Sequence, residues 1–181
     1  GGETPGLKGI ITSGTAELCC SADGEIRPKR RVIKPCIQAG DAIILLRSNG
    51  IHANGLTDAR SIVGRLPQGY LTPVSEKMSY GAALLQPTTI YVRFVMDCLN
   101  RGIRLHYTAN ITGHGWRKIM RAAEPFVYII DTPGEPQLIF PFIQRYTGFD
   151  LTKMYSTYNM GAGFALYAAK ESVPLILEIA I

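Results

Sequence analysis

The sequence predicts an α+β domain in which helices pack on a central mixed sheet. Three observations carry this prediction. The chain has 181 residues, of which 46% are hydrophobic and 18% charged, a composition typical of a folded globular protein. Predicted strands and helices alternate along most of the chain, which favours a layered arrangement of the two. No internal repeat or linker interrupts the sequence, so one domain over 1–181 is expected.

The first third of the chain is predicted to supply strands and then a helix. Two strand-like runs, 7–13 and 15–21, are separated by a glycine. The run AIILL at 42–46 is continuous and β-rich, which is typical of a strand buried on both faces, so we expect it at the centre of the sheet. A turn at 47–50 leads to a helix over about 56–66, for which Asn54 is the expected N-cap.

The middle of the chain contains the clearest helix signal, over 89–100. Its apolar face, spaced at intervals of three and four residues, comprises Tyr91, Phe94, Val95, Cys98 and Leu99. Arg101 and Gly102 provide a basic last turn and a glycine stop. Before this helix, the segment 66–76 is rich in turn residues and is predicted to be a loop, and 77–85 is predicted to be a short helix.

The last third is predicted to alternate between strands and helices. The expected strands are at 103–110, 126–131 and 164–169. The expected helices follow Gly115, occupy 138–146 and 151–158, and begin near 172, where Pro174 is tolerated in the first turn.

Composition argues against several classes of protein. No window approaches the roughly 20 apolar residues of a membrane span, and the first residues do not resemble a secretory signal. The four cysteines lack metal-site spacing, which favours free thiols in a reducing cytoplasm. The net charge of +5 is modest, and the basic cluster RPKRR at 27–31 has no interleaved aromatic residues, so neither nucleic acid nor membrane is an expected partner.

Three glycine-containing loops, each beside a predicted strand, are the candidate sites for chemistry. They are SNGIHANG at 48–55, NITGHG at 110–115 and NMGAG at 159–163. The first two lie between a strand and a helix, where free backbone N–H groups favour an anion, and glycine lets a phosphate approach closely. Loops of this composition also occur where no ligand binds.

Two of the three histidines lie in these loops. His52 and His114 could hydrogen-bond a phosphate or transfer a proton near neutral pH, or could be ordinary loop residues. His106 lies inside a predicted strand and is expected to be structural. The sequence contains no nucleophile elbow, P-loop or Rossmann fingerprint.

Taken in order, five segments resemble the aminoimidazole ribonucleotide synthetase family, also called phosphoribosylformylglycinamidine cyclo-ligase. They are GGET at 1–4, NGIHANG at 49–55, LLQPTTIYV at 84–92, NITGHG at 110–115 and YSTYNMG at 155–161. The resemblance covers only the C-terminal half of the family pattern. It implies that 1–14 adjoin an N-terminal ATP-handling domain that precedes this chain in the family, and that the whole enzyme is a cytoplasmic homodimer.

The resemblance also implies a reaction and roles for individual residues. ATP, with Mg²⁺, activates the formyl-derived oxygen of formylglycinamidine ribonucleotide, and an internal nitrogen closes the imidazole ring with release of ADP and phosphate. His52 and His114 would be catalytic, and Glu3 would contact the metal. The substrate- or nucleotide-binding residues would be Glu3, Thr4, Asn54, Gly55, Thr112, Gly113, Gly115, Asn159 and Gly161. The resemblance thus implies that the three glycine-containing loops converge on one common rim.

One departure from the family pattern leaves alternatives open. The family more often has TGGG where this chain has Thr112-Gly-His-Gly115, which indicates a divergent branch. His114 could therefore contact a substrate phosphate or simply replace a glycine. The alternatives are another ATP-using enzyme of the same superfamily, of selenophosphate, thiamine-phosphate or hydrogenase-maturation type, and a non-catalytic domain that binds a nucleotide or assembles with a partner.

Overall fold

A computed structural model describes residue 21 and residues 23–123 and 125–180. The chain divides into two compact units, Gly1–Val32 and Ile33–Ile181. In the first unit, the described residues form a short 3₁₀ turn at Lys29–Arg31, and Arg27 forms an ion pair with Glu25. The predicted strand 7–13 and all but the last residue of 15–21 lie outside the described residues. All elements below belong to the second unit.

Three strands form the main sheet. They are β1 (Ala42–Arg47), β4 (Leu105–Asn110) and β5 (Ala162–Ala168), with a small separate hairpin of β2 (Pro73–Ser75) and β3 (Met78–Ser79). Strand β5 lies between β1 and β4 and is antiparallel to both, so that Leu166 is paired with Ile44 on one side and Thr108 on the other. The α+β prediction is confirmed, and the pairing among the described strands is antiparallel.

The central position predicted for 42–46 is not found among the described residues, where the central strand is β5. Among the described residues, β1 pairs with β5 alone and is an edge strand. Its apolar run reflects coverage of both faces, because Ile43 and Leu45 pack in one hydrophobic cluster while Ile44 and Leu46 pack in another. A continuous apolar run therefore indicates that both faces of the strand are covered, but it does not indicate where the strand lies in the sheet.

Helices cover one face of the sheet. The helices α3 (Val92–Asn100) and α6 (Val173–Ile179) pack there, with Cys98 and Ile176 fully buried against β4 and β5. Gly102 ends the turn after α3 with a φ of 77°, as the sequence predicts. Pro174 lies in the first turn of α6, where its missing N–H costs no helical hydrogen bond. Burial raises the pKa of the Cys98 thiol.

Four helices form a second layer with its own apolar core. They are α1 (Leu56–Ser61), α2 (Tyr80–Leu84), α4 (Ile139–Thr147) and α5 (Leu151–Thr157). Tyr80, Phe140 and Tyr158 are fully buried at their centre. The Tyr80 hydroxyl donates to the Ala59 carbonyl at 2.6 Å, which satisfies the buried phenol.

Several predicted boundaries were wrong for local reasons. Helix α1 ends at Ser61 and is followed by a 3₁₀ turn, and its N-cap is Gly55, not Asn54, with a φ of 66°. The segment after the second loop is a 3₁₀ helix over Gly115–Met120, not an α-helix. The predicted strand at 126–131 is irregular, with Val127 87% and Ile129 77% exposed. No helix among the described residues is long and apolar enough to cross a membrane.

Candidate functional site

The three glycine-containing loops meet at one end of the main sheet. Strands β1 and β4 run in the same direction, and both are antiparallel to β5, so their last residues adjoin its first. The first loop (48–55) follows β1, the second (110–115) follows β4 and the third (159–163) opens β5. Backbone hydrogen bonds join them: Ser48 N–H to Gly161 O at 2.8 Å, and Ile111 N–H to Gly163 O at 2.9 Å. The predicted common rim is confirmed.

Asn159 connects the first and third loops from inside the protein. Its side chain has no solvent-exposed surface. Its Oδ1 accepts from the Ser48 hydroxyl at 2.8 Å and from the Gly161 N–H at 3.0 Å, and its Nδ2 donates to the carbonyls of Gly50 and Ile51 at 2.8 and 3.3 Å. The carboxamide thus uses two donors and two acceptors within the rim.

Gln137 holds the same junction from the segment before α4. Its Nε2 donates to the Ser48 carbonyl at 2.5 Å, and the Ser48 hydroxyl lies 3.3 Å from its Oε1. Sequence reasoning missed Gln137, because no motif or periodicity marks a lone glutamine between Pro136 and a helix. Only its contact with Ser48, which is 89 positions away, shows its role.

The second loop is attached to this network through Trp116. The indole Nε1–H donates to the Asn159 carbonyl at 2.7 Å, and the indole ring packs edge-on against Tyr155, with ring centroids 4.9 Å apart. Gly115 lies directly under the end of α5: a methyl group there would overlap the Tyr155 carbonyl and lie 2.7 Å from the Tyr158 carbonyl. Gly115 therefore allows the loop to pack against the protein.

At two further positions, close packing against a tyrosine side chain likewise leaves room for glycine but not for a larger residue. A methyl group at Gly55 would lie 2.8 Å from Tyr158 Cδ1, and one at Gly163 would overlap the Tyr91 hydroxyl. By contrast, Gly113 is exposed, and the nearest atom to a methyl group there is Asn54 Oδ1, at 3.9 Å. The open part of the rim is therefore the gap between Asn54 and Gly113, where the first and second loops face each other.

His52 lies beneath this rim, 6% exposed, with a φ of 57°. Its Nε2 is 2.8 Å from Asn49 Oδ1. The Asn49 amide is oriented by its Nδ2, which donates to the Pro87 carbonyl at 2.8 Å, so its Oδ1 faces the imidazole. The Thr89 N–H also points at Nε2, but at 3.5 Å, and the shorter contact with Asn49 Oδ1 assigns the proton to Nε2. Burial lowers the pKa of His52, which keeps the ring neutral at pH 7. The neutral ring then carries its proton on Nε2 and has a lone pair on Nδ1.

His114 shares the left-handed backbone of His52 but differs from it in exposure and contacts. It is exposed, has a φ of 73°, and forms the N-cap position of the 3₁₀ helix that follows. Its Nδ1 lies 3.5 Å from an Arg121 nitrogen. Arg117 and Lys118 lie on the same 3₁₀ helix. The three loops themselves contain no lysine, arginine, aspartate or glutamate, so the cationic side chains beside the rim are those that follow the second loop.

Nine of the predicted site residues lie on the rim, and the other two lie outside the described residues. The rim brings together His52, Asn54, Gly55, Thr112, Gly113, His114, Gly115, Asn159 and Gly161. Among them, Asn159, Gly115 and Gly161 are buried, whereas Gly113 and His114 are exposed. Glu3 and Thr4, including the predicted metal contact, lie outside the described residues. Tyr91, predicted as part of the apolar face of a helix, instead donates from its hydroxyl to the Arg47 carbonyl at 2.9 Å.

The described residues do not offer a magnesium site. They contain no group of three or more histidine, cysteine, aspartate or glutamate side chains placed to hold a metal ion. The rim presents amides, hydroxyls and imidazoles, whereas Mg²⁺ in proteins is bound through carboxylates and phosphate oxygens. The same amides, together with the cations beside the second loop, suit a phosphate-bearing or neutral polar ligand.

Comparison with known proteins decides the family. No family model matches the chain. Curated proteins named phosphoribosylformylglycinamidine cyclo-ligase are 36% identical over 99% of this chain in Methanothermobacter thermautotrophicus and Methanocaldococcus jannaschii, and 38% identical over 99% in Methanococcus vannielii. The chain belongs to this cyclo-ligase family. The family resemblance inferred from the five motifs is confirmed.

The cyclo-ligase similarity concerns one part of those proteins. The chain spans about half the length of the curated cyclo-ligases it matches, between 51% and 53% of the three above, and aligns with their C-terminal part. The rim formed by the three loops therefore lies in a chain that aligns with the C-terminal half of those proteins.

Proposed function

We propose that this chain is the C-terminal half of an ATP-dependent cyclo-ligase of purine biosynthesis that acts on formylglycinamidine ribonucleotide. The observation that carries the proposal is the convergence of the three loops, which are distant in sequence, on one rim in a chain 36% identical to named cyclo-ligases over 99% of its length. Such a rim places neutral hydrogen-bonding groups beside cationic side chains, which suits a substrate that combines an amidine with a phosphate.

The open gap between Asn54 and Gly113 is the proposed place of substrate contact. The backbone at Gly113 is accessible, Thr112 and Asn54 add polar groups, and the cations after the second loop attract a phosphate. The buried residues Asn159, Gly115 and Gly161 fix the shape of the gap. A rim held from inside keeps its donors in place during the reaction, and this preorganisation is the main source of electrostatic catalysis.

His52 is the proposed group for handling a proton. ATP, when bound, supplies the phosphoryl group that turns the formyl-derived oxygen into a leaving group, and the attacking nitrogen must lose a proton as the ring closes. The neutral imidazole holds its own proton on Nε2 towards Asn49 and keeps an acceptor lone pair on Nδ1. Because burial lowers the pKa of His52, the imidazole is held in the unprotonated form that a general base requires. His114 is proposed to contact the substrate phosphate.

The remaining components are proposed from the cyclo-ligase family. ATP, Mg²⁺ and the N-terminal half would complete the active site, in a cytoplasmic homodimer. Since the described residues do not form a metal site, the carboxylate ligands for Mg²⁺ would come from Glu3 or from the N-terminal half. Activity is accordingly expected from the two halves together and not from this chain alone.

A chimera tests the proposal. In the Methanothermobacter thermautotrophicus cyclo-ligase, the C-terminal half is replaced by this chain, and ADP release is measured with and without formylglycinamidine ribonucleotide. We expect substrate-dependent ADP release from the chimera and none from the isolated chain. The variant His52→Asn, which tolerates the left-handed backbone, should lower kcat by about 10²-fold or more if the imidazole acts as a general base. A folded chimera that hydrolyses ATP equally with unrelated amides would refute the substrate.

A further inference from the structure

The segment LLQPTTIYV at 84–92 has no role in the proposed reaction, although it contacts the first loop closely. The Pro87 carbonyl accepts from Asn49, and the Tyr91 hydroxyl donates to the Arg47 carbonyl at 2.9 Å. The ring centroids of Tyr91 and His52 are 6.4 Å apart. One side of this segment therefore supports the proposed proton-handling histidine, and its other side borders a cavity.

The cavity measures about 360 Å³, within the range of small-molecule sites of roughly 300–1,000 Å³. Its walls are the segment 89–92, Val95 and Met96 of α3, Asn110 at the end of β4, and Phe164 of β5. Asn110 is the first residue of the second loop and Phe164 directly follows the third. The cavity therefore adjoins the second and third loops of the rim.

The residues that line the cavity determine which kind of ligand it can bind. None of the described residues that border the cavity carries a charge, so an anion or cation placed there would have no partner of opposite charge among them. Tyr91 and Phe164 form an aromatic wall, with ring centroids 5.3 Å apart and planes inclined by 31°. The Asn110 side chain is exposed and makes no hydrogen bond with the other described residues, so it can offer a donor and an acceptor.

We infer that this cavity binds a neutral, planar heterocycle or amide, stacked against Tyr91 and hydrogen-bonded by the Asn110 carboxamide. The inference rests on the proposed function for its setting: in that reaction, the neutral imidazole ring that closure produces would lie in the cavity, while the phosphate stays at the cationic side chains that follow the second loop. The predicted binding itself requires neither ATP nor the N-terminal half, because this chain supplies all of the cavity walls named above.

The experiment uses the 181-residue chain and two probes. Aminoimidazole carboxamide riboside is neutral and carries a planar ring with an amide, whereas ribose 5-phosphate carries the charge without the ring. Binding is followed by backbone amide NMR shifts and by calorimetry. We expect the riboside to shift the amides of 89–96, Asn110 and Phe164, and ribose 5-phosphate to leave them unshifted.

Two variants and one matched control locate the site. Met96→Trp fills the cavity and should weaken riboside binding about tenfold or more, because the ring is excluded. Asn110→Leu keeps the volume but removes the hydrogen bonds and should weaken binding about fivefold. The control, Met120→Trp, changes another exposed methionine, which borders a different cavity beside Trp116, and should leave the affinity unchanged.

The outcomes separate this inference from the proposed reaction. Riboside binding that is absent, that is unaffected by Met96→Trp, or that is weakened equally by Met120→Trp overturns the inference. Equal shifts of the cavity amides with ribose 5-phosphate also overturn it. If the riboside binds as expected while the chimera shows no substrate-dependent ADP release, the reaction is refuted and the cavity assignment stands. If the chimera turns over with an unchanged KM in Met96→Trp, the reaction stands and the cavity assignment is refuted.

Discussion

Replacing Asn159 by alanine should be among the most damaging single changes to the rim. The substitution removes both donors and both acceptors of the carboxamide at a site with no solvent exposure. The Ser48 hydroxyl can still use Gln137, 3.3 Å away. The Gly161 N–H and the Gly50 carbonyl, which lie 3.0 and 2.8 Å from the carboxamide, have no other hydrogen bond within the described residues. The Ile51 carbonyl loses a longer and weaker contact of 3.3 Å. Water cannot replace the lost partner without entering the core.

The cost follows from these two orphaned groups. Each buried polar group left unsatisfied costs about 1–3 kcal/mol, so the two together predict a loss of about 2–6 kcal/mol in the free energy of unfolding. Domains of this kind are stable by about 5–15 kcal/mol, so the variant should remain folded but weakened. With a urea m-value of about 2 kcal/mol per M, the unfolding midpoint should fall by about 1–3 M.

The assay is urea unfolding of the chain, followed by circular dichroism, with Asn54→Ala as the matched control. Asn54 is half-buried on the same rim and its side chain makes no hydrogen bond within the described residues, so its replacement should cost less than about 1 kcal/mol. A loss for Asn159→Ala below 1 kcal/mol, or equal to that of Asn54→Ala, would refute the view that this carboxamide holds the loops together.

Three further predictions concern single contacts. Gly163→Ala should destabilise the chain by about 1–3 kcal/mol in urea unfolding, since a methyl group there would lie 2.8 Å from His52 Cε1. The control Gly64→Ala, where a methyl group would have no atom within 4 Å, should be neutral or stabilising. Equal effects of the two variants would contradict the packing argument. Burial lowers the pKa of His52, so the folded state resists protonation of this residue. Its contribution to the free energy of unfolding is therefore present above pH 6.5 and is lost as the pH falls below that value. His52→Asn should flatten that part of the stability–pH profile, and an unchanged profile would contradict the assignment. Asp41→Ala removes the carboxylate that lies 2.7 Å from Nδ1 of the buried His106 and should cost about 1–3 kcal/mol in the same assay, a loss that a merely exposed aspartate would not produce.

The sequence was sufficient to predict features with strong local signals. Helix α3 was predicted from its 3.6-residue apolar period and its Gly102 stop, and α4, α5 and α6 were predicted within a few residues. The meeting of the three loops was predicted from the family resemblance and not from any physical signal in each loop. A glycine-rich stretch shows that a turn is needed, but not which residues the turn will face.

Features that depend on distant contacts could not be read from the sequence. Strand β1 carries the pattern of a central strand, yet among the described residues it is an edge strand, because packing on both faces and position in a sheet produce the same apolar run. The glycines at 55 and 115 suggested close approach of a phosphate, whereas each lies against a tyrosine residue of this chain. Gln137 has no pattern at all, since its partner is 89 positions away.

The position of β5 has a consequence for how the molecule acquires its form during synthesis. This strand is the last in the described chain, but it lies between β1 and β4, which precede it in the sequence and share no hydrogen bonds with each other. A ribosome therefore releases β1 and β4 long before the element that can join them, and loop closure over such separations is slow. Until residues 159–168 have emerged, the nascent chain can form neither the three-stranded sheet of the described residues nor the rim, and a truncation before Asn159 should leave the helical layer as a candidate for independent structure.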